Sequence, residues 1–162
     1  MLFLWLSHRR DGSILFVKEV TALVKKNLPG WARGTLGSLI EVIMPRSDEF
    51  HPDLKDYILN YVDAYVGYFP KHLKLAFPMG LLLLERGTLL FMGRLTGFSK
   101  LDLVERDRYV RGWINSRWQM RRELIRGVKG LVMVAFYSHP VVMEHIGYDI
   151  KGHIAQAIAR KY

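Results

Sequence analysis

Apolar residues recur at helical spacing along most of this chain, and no segment shows the apolar–polar alternation that is typical of a strand. The first clear stripe has i, i+3, i+4 and i+7 spacing and consists of Leu36, Leu39, Ile40 and Ile43. Pro45 ends this stripe, because proline cannot continue a helix. The periodicity therefore predicts an all-α fold.

Two further helical segments are predicted in the middle of the chain. One opens at residues 51–53, with Pro52 near its first helical position, and Phe69 and Pro70 close it. Its apolar stripe consists of Leu54, Ile58, Tyr61, Val62, Tyr65 and Val66. The other, Lys71 to Leu95, is apolar almost all round, which predicts a buried helix, or a helix pair broken or kinked at Pro78. Glu85 and Arg86 interrupt this run and need water or a partner there.

Local signals mark the helix ends in the second half of the chain. Asp102 and Glu105 have capping-box spacing, so a helix is expected to start near Asp102 and to run through Ile114. A longer helix fits Arg117 to Tyr137, and Pro140 can begin a last short helix that ends at Gly147.

These segments predict a single-domain, irregular helical bundle of about six helices, and 162 residues suit one domain. We expect residues 1–34 to be poorly structured or extended, with one short helical pattern from Ile14 to Leu28 before the stop at Pro29 and Gly30. The helical domain is expected to span residues 35–149, and residues 150–162 form a C-terminal tail.

The search for a catalytic or metal site leads to none. Cysteine is absent, which excludes disulfides, iron–sulfur clusters and thiolate zinc sites, and no two of the six His have i, i+4 spacing. Ser138 and His139 are adjacent, which does not place a base against a nucleophile. No phosphate loop or dinucleotide fingerprint occurs, and the glycines of 127–130 are interpreted as letting another helix approach closely. We therefore predict no catalytic, cofactor-binding or metal-binding residues in this chain.

The net charge of +9 suits an acidic partner, a nucleic acid or an anionic membrane, and does not choose among them. The densest basic segment runs from Lys100 to Lys129. We favour a solvated face with local ion pairs, such as Asp107 with Arg111, over a nucleic-acid stripe, because no recognition-helix turn or base-stacking motif accompanies the charge. Trp113 and Trp118 are expected to pack in the core or at an interface.

A set of short motifs in the second half of the chain stands out. The motifs are Phe98-Ser99-x-Leu101, Glu105-Arg106-x-Arg108-Tyr109-Val110, Ser116, Arg121 or Arg122, Lys129-Gly130-Leu131-Val132, Ala135-Phe136-Tyr137-Ser138-His139-Pro140 and Ile146-Gly147-Tyr148-Asp149. This set resembles the small helical module that accompanies glucose-methanol-choline (GMC) flavin oxidoreductases. In that family the module is either a separate small subunit, as in FAD-dependent sugar dehydrogenases, or an N-terminal extension, as in long-chain alcohol oxidases. The resemblance covers roughly residues 36–149 and is most specific in the last two motifs.

The resemblance implies a non-catalytic accessory subunit. It implies that FAD sits in a large partner subunit, which oxidises an alcohol or sugar hydroxyl, while this chain assists folding, assembly or export and stays bound. A cytochrome or another electron acceptor is a further implied partner. The residues expected at the partner interface are Tyr137, Ser138, His139, Pro140, Ile146, Gly147, Tyr148 and Asp149.

Two departures from the family pattern bear on location. Small subunits of the sugar-dehydrogenase type bring a twin-arginine signal and cysteines, whereas here Arg9 and Arg10 precede too short an apolar run and cysteine is absent. We therefore expect a cytoplasmic protein or one peripheral to the membrane, with a periplasmic location only by co-export. The alternative function is a basic amphipathic module at a membrane surface, suggested by the apolar segment 73–95 beside basic residues; a nucleic-acid binder is less favoured.

Overall fold

The computed structural model describes residues 26–45, 50, 52–93 and 95–148, and within these ranges the chain is helical and has no strand. Its elements are α1 (Gly30–Ile43), α2 (Lys55–Val66), α3 (Lys71–Met92), a 3₁₀ turn (Phe98–Lys100), α4 (Leu103–Ile114), α5 (Gln119–Tyr137) and α6 (Pro140–His145). The prediction of an all-α, single-domain bundle of about six helices is confirmed for this part of the chain.

Helix α1 is the centre of the bundle, because it packs against α2, α3, α4 and α5. Its predicted stripe is largely buried, with Leu36, Leu39 and Ile40 fully inaccessible to solvent. Small residues on the same helix, such as Gly37 and Ser38, are buried as well and let the neighbouring helices come close. The apolar stripe that the sequence predicts on α1 thus lies in the middle of the hydrophobic core.

The predicted helix ends are confirmed where local chemistry decides them. Asp102 caps α4, and its carboxylate accepts the backbone N–H of Glu105 at 2.8 Å. Pro140 occupies the first turn of α6, where its missing N–H costs nothing. Gly147 follows α6 with φ of 69°, and Gly93 follows α3 with φ of 63°. Both glycines occupy the left-handed region that other residues avoid.

Helix α3 differs from its prediction in two ways. It is one continuous helix with Pro78 inside it, so the helix pair is wrong. Proline removes one hydrogen bond to the carbonyl of Lys74, and this loss is tolerated because Lys74 is exposed and water can replace the donor. The helix is also not buried all round. Leu81 and Leu84 face the core, whereas the first two turns lie in solvent.

The described chain starts ahead of the predicted domain. Helix α1 begins at Gly30 instead of after residue 34, and Leu28 before it is buried. Asp63 on α2 holds the residues just before α1 in place. Its Oδ1 accepts the backbone N–H groups of Asn27 at 3.0 Å and of Leu28 at 2.8 Å. Its other oxygen pairs with Arg33. The predicted helix opening at residues 51–53 is wrong, because α2 begins at Lys55 and neither Pro52 nor Asp53 is helical. The helical pattern from Ile14 up to residue 25, His51, Asp149 and the tail 150–162 lie outside the described residues.

Glu85, which interrupts the apolar run of α3, has the partners that its position requires. Its carboxylate accepts the hydroxyl of Thr35 at 3.0 Å, the hydroxyl of Ser99 at 2.7 Å and the backbone N–H of Ser99 at 3.1 Å. A methyl group at Gly97 would lie 2.1 Å from this carboxylate, so any larger residue there would displace Glu85 from its present position. Glu85 therefore ties α3 to α1 and to the 3₁₀ turn, and its role is structural.

Candidate docking surfaces

An apolar groove of about 490 Å³ lies between α3 and α5. One side of the groove consists of Phe69, Leu73, Phe77 and Leu83, and the other includes Leu124 and Leu131. The two helices approach each other closely at Gly80, where a methyl group would lie 2.8 Å from Leu124 Cδ1. Among the described residues that line the groove, Glu123 is the only charged one. Sequence reasoning missed this groove, because its lining residues come from two helices whose pairing no local pattern predicts.

The glycines of α5 behave differently from their prediction. A methyl group at Gly127 or Gly130 would meet nothing within 4 Å, so neither glycine allows a close helix approach. Gly127 instead lines the groove and leaves its floor open. The close approach occurs at Gly80 on α3, and the prediction for residues 127–130 is wrong.

Trp113 closes one end of the groove and also belongs to the core, with 1% of its surface exposed. The Arg121 guanidinium lies over its ring at 5.2 Å and over the ring of Trp118 at 4.7 Å. Burial lowers the pKa of Arg121. Tyr109 packs beside Trp113, and burial raises the pKa of Tyr109 to about 12. This wall is rigid because aromatic rings and a stacked guanidinium fill it.

The segment singled out as a partner interface forms a capped turn between α5 and α6. Ser138 donates its hydroxyl to the carbonyl of Val134 at 2.6 Å. His139 is buried, and its Nδ1 accepts the backbone N–H of Val141 at 3.3 Å. The backbone N–H of Tyr148 returns to the carbonyl of Met143 at 2.9 Å. The predicted start of a short helix at Pro140 is thus confirmed, and His139 caps it.

The same turn carries large apolar side chains that face solvent. Tyr137, Ile146 and Tyr148 are each about half exposed. Beside them, Phe50 stacks on the ring of His145 with 3.9 Å between ring centroids. Because His139 points inward while these three side chains point outward, the turn can present an apolar patch without rearranging. We call Tyr137, Ile146 and Tyr148 the terminal patch.

A row of aromatic rings runs from this turn to the groove along α2. The ring of Tyr57 meets His139 edge-on at 4.7 Å. The successive centroid distances are 6.3 Å for Tyr57–Tyr61, 6.4 Å for Tyr61–Tyr65, 5.9 Å for Tyr65–Phe69 and 5.8 Å for Phe69–Phe77. The row thus forms successive ring contacts from the turn to the groove, at the separations typical of aromatic pairs.

The basic segment 100–129 is used largely within the fold. Arg106 pairs with Glu41 and donates to the carbonyl of Ser99, and Arg122 donates to the carbonyl of Ser116 at 2.6 Å. The predicted pair Asp107–Arg111 is present at 2.7 Å. The two ion pairs offset part of the charge of this segment, whereas the bonds to carbonyl oxygens hold side chains against the fold without changing their charge.

A second cavity and the possible metal ligands are two further features of the described residues. A second cavity of about 530 Å³ beside Glu85 has a mixed lining, but its central carboxylate is already bonded to Thr35 and Ser99. Among residues 26–45, 52–93 and 95–148, no group of three or more His, Asp or Glu side chains could hold a metal ion. The described helices also include none with the length and apolar character needed to cross a bilayer.

Comparison with known proteins adds no relative. No protein-family model, curated protein or solved structure matches this chain.

The capped turn should respond to acid. Burial lowers the pKa of His139, and only the neutral imidazole can accept the N–H of Val141 at Nδ1. The unfolded chain binds a proton more readily at this site, so the stability due to neutral His139 is present above its ordinary pKa and is lost as pH falls below it. We expect the free energy of unfolding to fall between pH 7 and pH 5, as measured by urea titration at each pH.

The matched control is His139→Asn, which keeps an acceptor for the helix cap but does not titrate in this range. This variant should lose less stability than the natural chain over the same pH interval. Equal losses in the two proteins would show that His139 does not contribute to the acid response.

Proposed function

We propose that this chain is a non-catalytic accessory subunit of a GMC-type, FAD-dependent alcohol or sugar dehydrogenase, and that the terminal patch binds the flavoprotein. One observation carries the proposal. The segment with the most specific resemblance, residues 135–148, forms a capped turn that places Tyr137, Ile146 and Tyr148 half exposed on one short stretch. FAD and the catalytic groups belong, in this proposal, to the partner.

Physical chemistry supports a docking role for this patch. Aromatic anchors are enriched among the residues that dominate interface energies, and they bind best when their own conformation is fixed beforehand. The backbone of Tyr148 is held by its bond to Met143 and follows the left-handed turn at Gly147. Docking would therefore cost little backbone entropy at this residue.

The test is co-purification with a defined partner. The tagged full chain would be co-expressed with a GMC-family flavoprotein large subunit, and bound flavin would be measured by absorbance. Tyr148→Ala should weaken the complex roughly 30-fold, since truncating a buried aromatic anchor costs about 2 kcal/mol. Helicity and melting temperature should stay close to those of the natural chain, because Tyr148 is half exposed.

Val104→Ala provides the matched control, because Val104 is 70% exposed on α4 and lies outside the patch. It should leave the complex unchanged. If Tyr148→Ala lowers the melting temperature while the remaining folded protein binds the flavoprotein normally, the segment only packs the domain and the interface assignment is wrong.

A membrane-surface function is the second candidate, and the outer face of α3 favours it. Leu75, Met79 and Leu82 are exposed at i, i+4 and i+7, near Lys71 and Lys74. An apolar stripe beside lysines suits the boundary of an anionic bilayer. Flotation of the isolated chain with liposomes rich in anionic lipid separates the two proposals, because an accessory subunit need not float, whereas a membrane-binding module must.

A further inference from the structure

The groove between α3 and α5 is closed at the end where Trp113 lines it. Tyr109 packs on Trp113 with 5.8 Å between ring centroids, and its hydroxyl donates to the carbonyl of Leu84 at 3.1 Å. The Arg121 guanidinium lies over the same Trp113 ring at 5.2 Å. The second half of α3 and the start of α5 therefore meet at this closed end.

The opposite end of the groove is basic and accessible to solvent. Because α3 and α5 run in opposite directions along the groove, Leu73 and Leu131 both lie at this end. The first turn of α3, which contains Leu73, has no acidic residue. Its ionisable side chains, Lys71, His72 and Lys74, are exposed. The two lysines thus put positive charge at the accessible end of an apolar groove.

The dimensions of the groove suit one unbranched alkyl tail. The lining residues on α3, from Leu73 to Leu83, span about 15 Å, and those on α5, from Met120 to Leu131, span about 16 Å. A volume of about 490 Å³ over this length gives a mean cross-section of about 30 Å², which is narrow and long. An extended chain of single bonds advances about 1.2 Å per bond, so the groove has the length of about 13 bonds.

We propose that the groove binds a fatty acid, with its alkyl tail directed towards Trp113 and its carboxylate at the accessible end near Lys71 and Lys74. The lining is apolar apart from Glu123, and Glu123 already pairs with Arg126 at 3.0 Å. A ligand with one apolar tail and one negative charge matches both the lining and the basic end. The groove and the terminal patch use different residues, so this inference does not depend on the flavoprotein partner.

A series of tail lengths tests the fit. The purified full chain would be titrated calorimetrically with saturated fatty acids that bracket about 13 bonds in length, each below its micelle-forming concentration. We expect a 1:1 complex whose affinity rises about fourfold with each added CH₂ group and stops rising near about 13 carbons, where the tail fills the groove. No binding, or an affinity that keeps rising to the longest acid, would overturn the proposal.

The methyl ester of the best-binding acid tests the basic end. It should bind roughly threefold more weakly than the acid, because it lacks the charge that the lysines attract. The double variant Lys71→Gln, Lys74→Gln should bind the acid and the ester alike. Equal affinity of the natural chain for acid and ester would contradict a carboxylate at this end.

Filling the groove tests the location of the tail. A side chain at Gly127 meets nothing within 4 Å, so Gly127→Phe should keep the helical circular dichroism and weaken binding of the acid at least about tenfold. Gly112→Phe is the matched control, because Gly112 on α4 has the same free space and lies outside the groove lining. Its affinity should stay within about twofold of the natural value.

Two other occupants of the apolar surface would appear in the same experiment. If Gly127→Phe binds the acid or vesicles of anionic lipid as the natural chain does, the affinity belongs to the outer face of α3 and the proposal is wrong. If the natural chain binds no acid and is a dimer that Gly127→Phe converts to a monomer, the groove holds a second copy. Gly127→Leu, a smaller change, guards against misfolding and should weaken binding in the same direction.

Discussion

Asp63→Ala should lower the free energy of unfolding by about 3–5 kcal/mol, because removing one member of a buried ion pair leaves the other charge without its partner. Asp63 is 2% exposed, and its side chain accepts the N–H groups of Asn27 and Leu28 as well as the Arg33 guanidinium. The variant thus loses both the ion pair with Arg33 and the hydrogen bonds that hold Asn27 and Leu28. Urea unfolding followed by circular dichroism measures the change.

Asp107→Ala is the matched control, because the pair Asp107–Arg111 lies on the surface. Exposed pairs contribute about 0–1 kcal/mol, so this variant should unfold almost like the natural chain. Similar losses for Asp63→Ala and Asp107→Ala would contradict the assignment of Asp63 as a buried anchor.

Trp113→Ala should destabilise the chain by a comparable amount, about 3–5 kcal/mol, because a large buried ring leaves a cavity that its neighbours fill only in part. Trp113 packs against Tyr109 in the core and lines the groove at the same time. We therefore expect a lower melting temperature together with a groove that binds more apolar dye.

Trp118→Ala separates the two tryptophans, since both stack on Arg121 but Trp118 is 61% exposed. Its effect on stability should stay within about 1 kcal/mol, the size of an exposed cation–π contact. If Trp113→Ala and Trp118→Ala lower the free energy of unfolding by the same amount, the stacking on Arg121 and not the burial of Trp113 would explain the lost stability.

The sequence predicted those parts of the fold that depend on neighbours within one turn. Pro45, the cap at Asp102, Pro140 and Gly147 each act through their own backbone or a residue three positions away, so their effect can be read locally. The capped turn of the terminal segment was predictable for the same reason. Its contact with Tyr57 was not, because that contact comes from a distant helix.

Burial was harder to predict than helicity. Helix α3 is apolar on every side, yet the outer face with Leu75 and Met79 is exposed, because neighbouring helices cover only part of its circumference. How many helices pack around α3 depends on the tertiary fold, and the composition of α3 does not determine it. The same limit led to the wrong glycine, since Gly80 and not Gly127 lies at a helix contact.

The role of Asp63 as a buried, bonded carboxylate could have been predicted from its position in the sequence. It lies beside Val62 in a helix whose Ile58 and Val66 are buried, and a carboxylate in such a position needs a cation or several N–H donors. The groove gave no comparable signal, because its two sides are about 40 residues apart in sequence and meet only in the folded chain.

Co-purification of the natural chain with a GMC-family flavoprotein large subunit is the most direct test of the proposed function. We predict a complex of fixed stoichiometry that carries flavin absorbance, and a colourless chain without dehydrogenase activity when it is expressed alone. A flavoprotein that folds, binds FAD and oxidises its substrate without this chain, with the two proteins eluting separately, would contradict the proposal, as would flavin bound to the isolated chain.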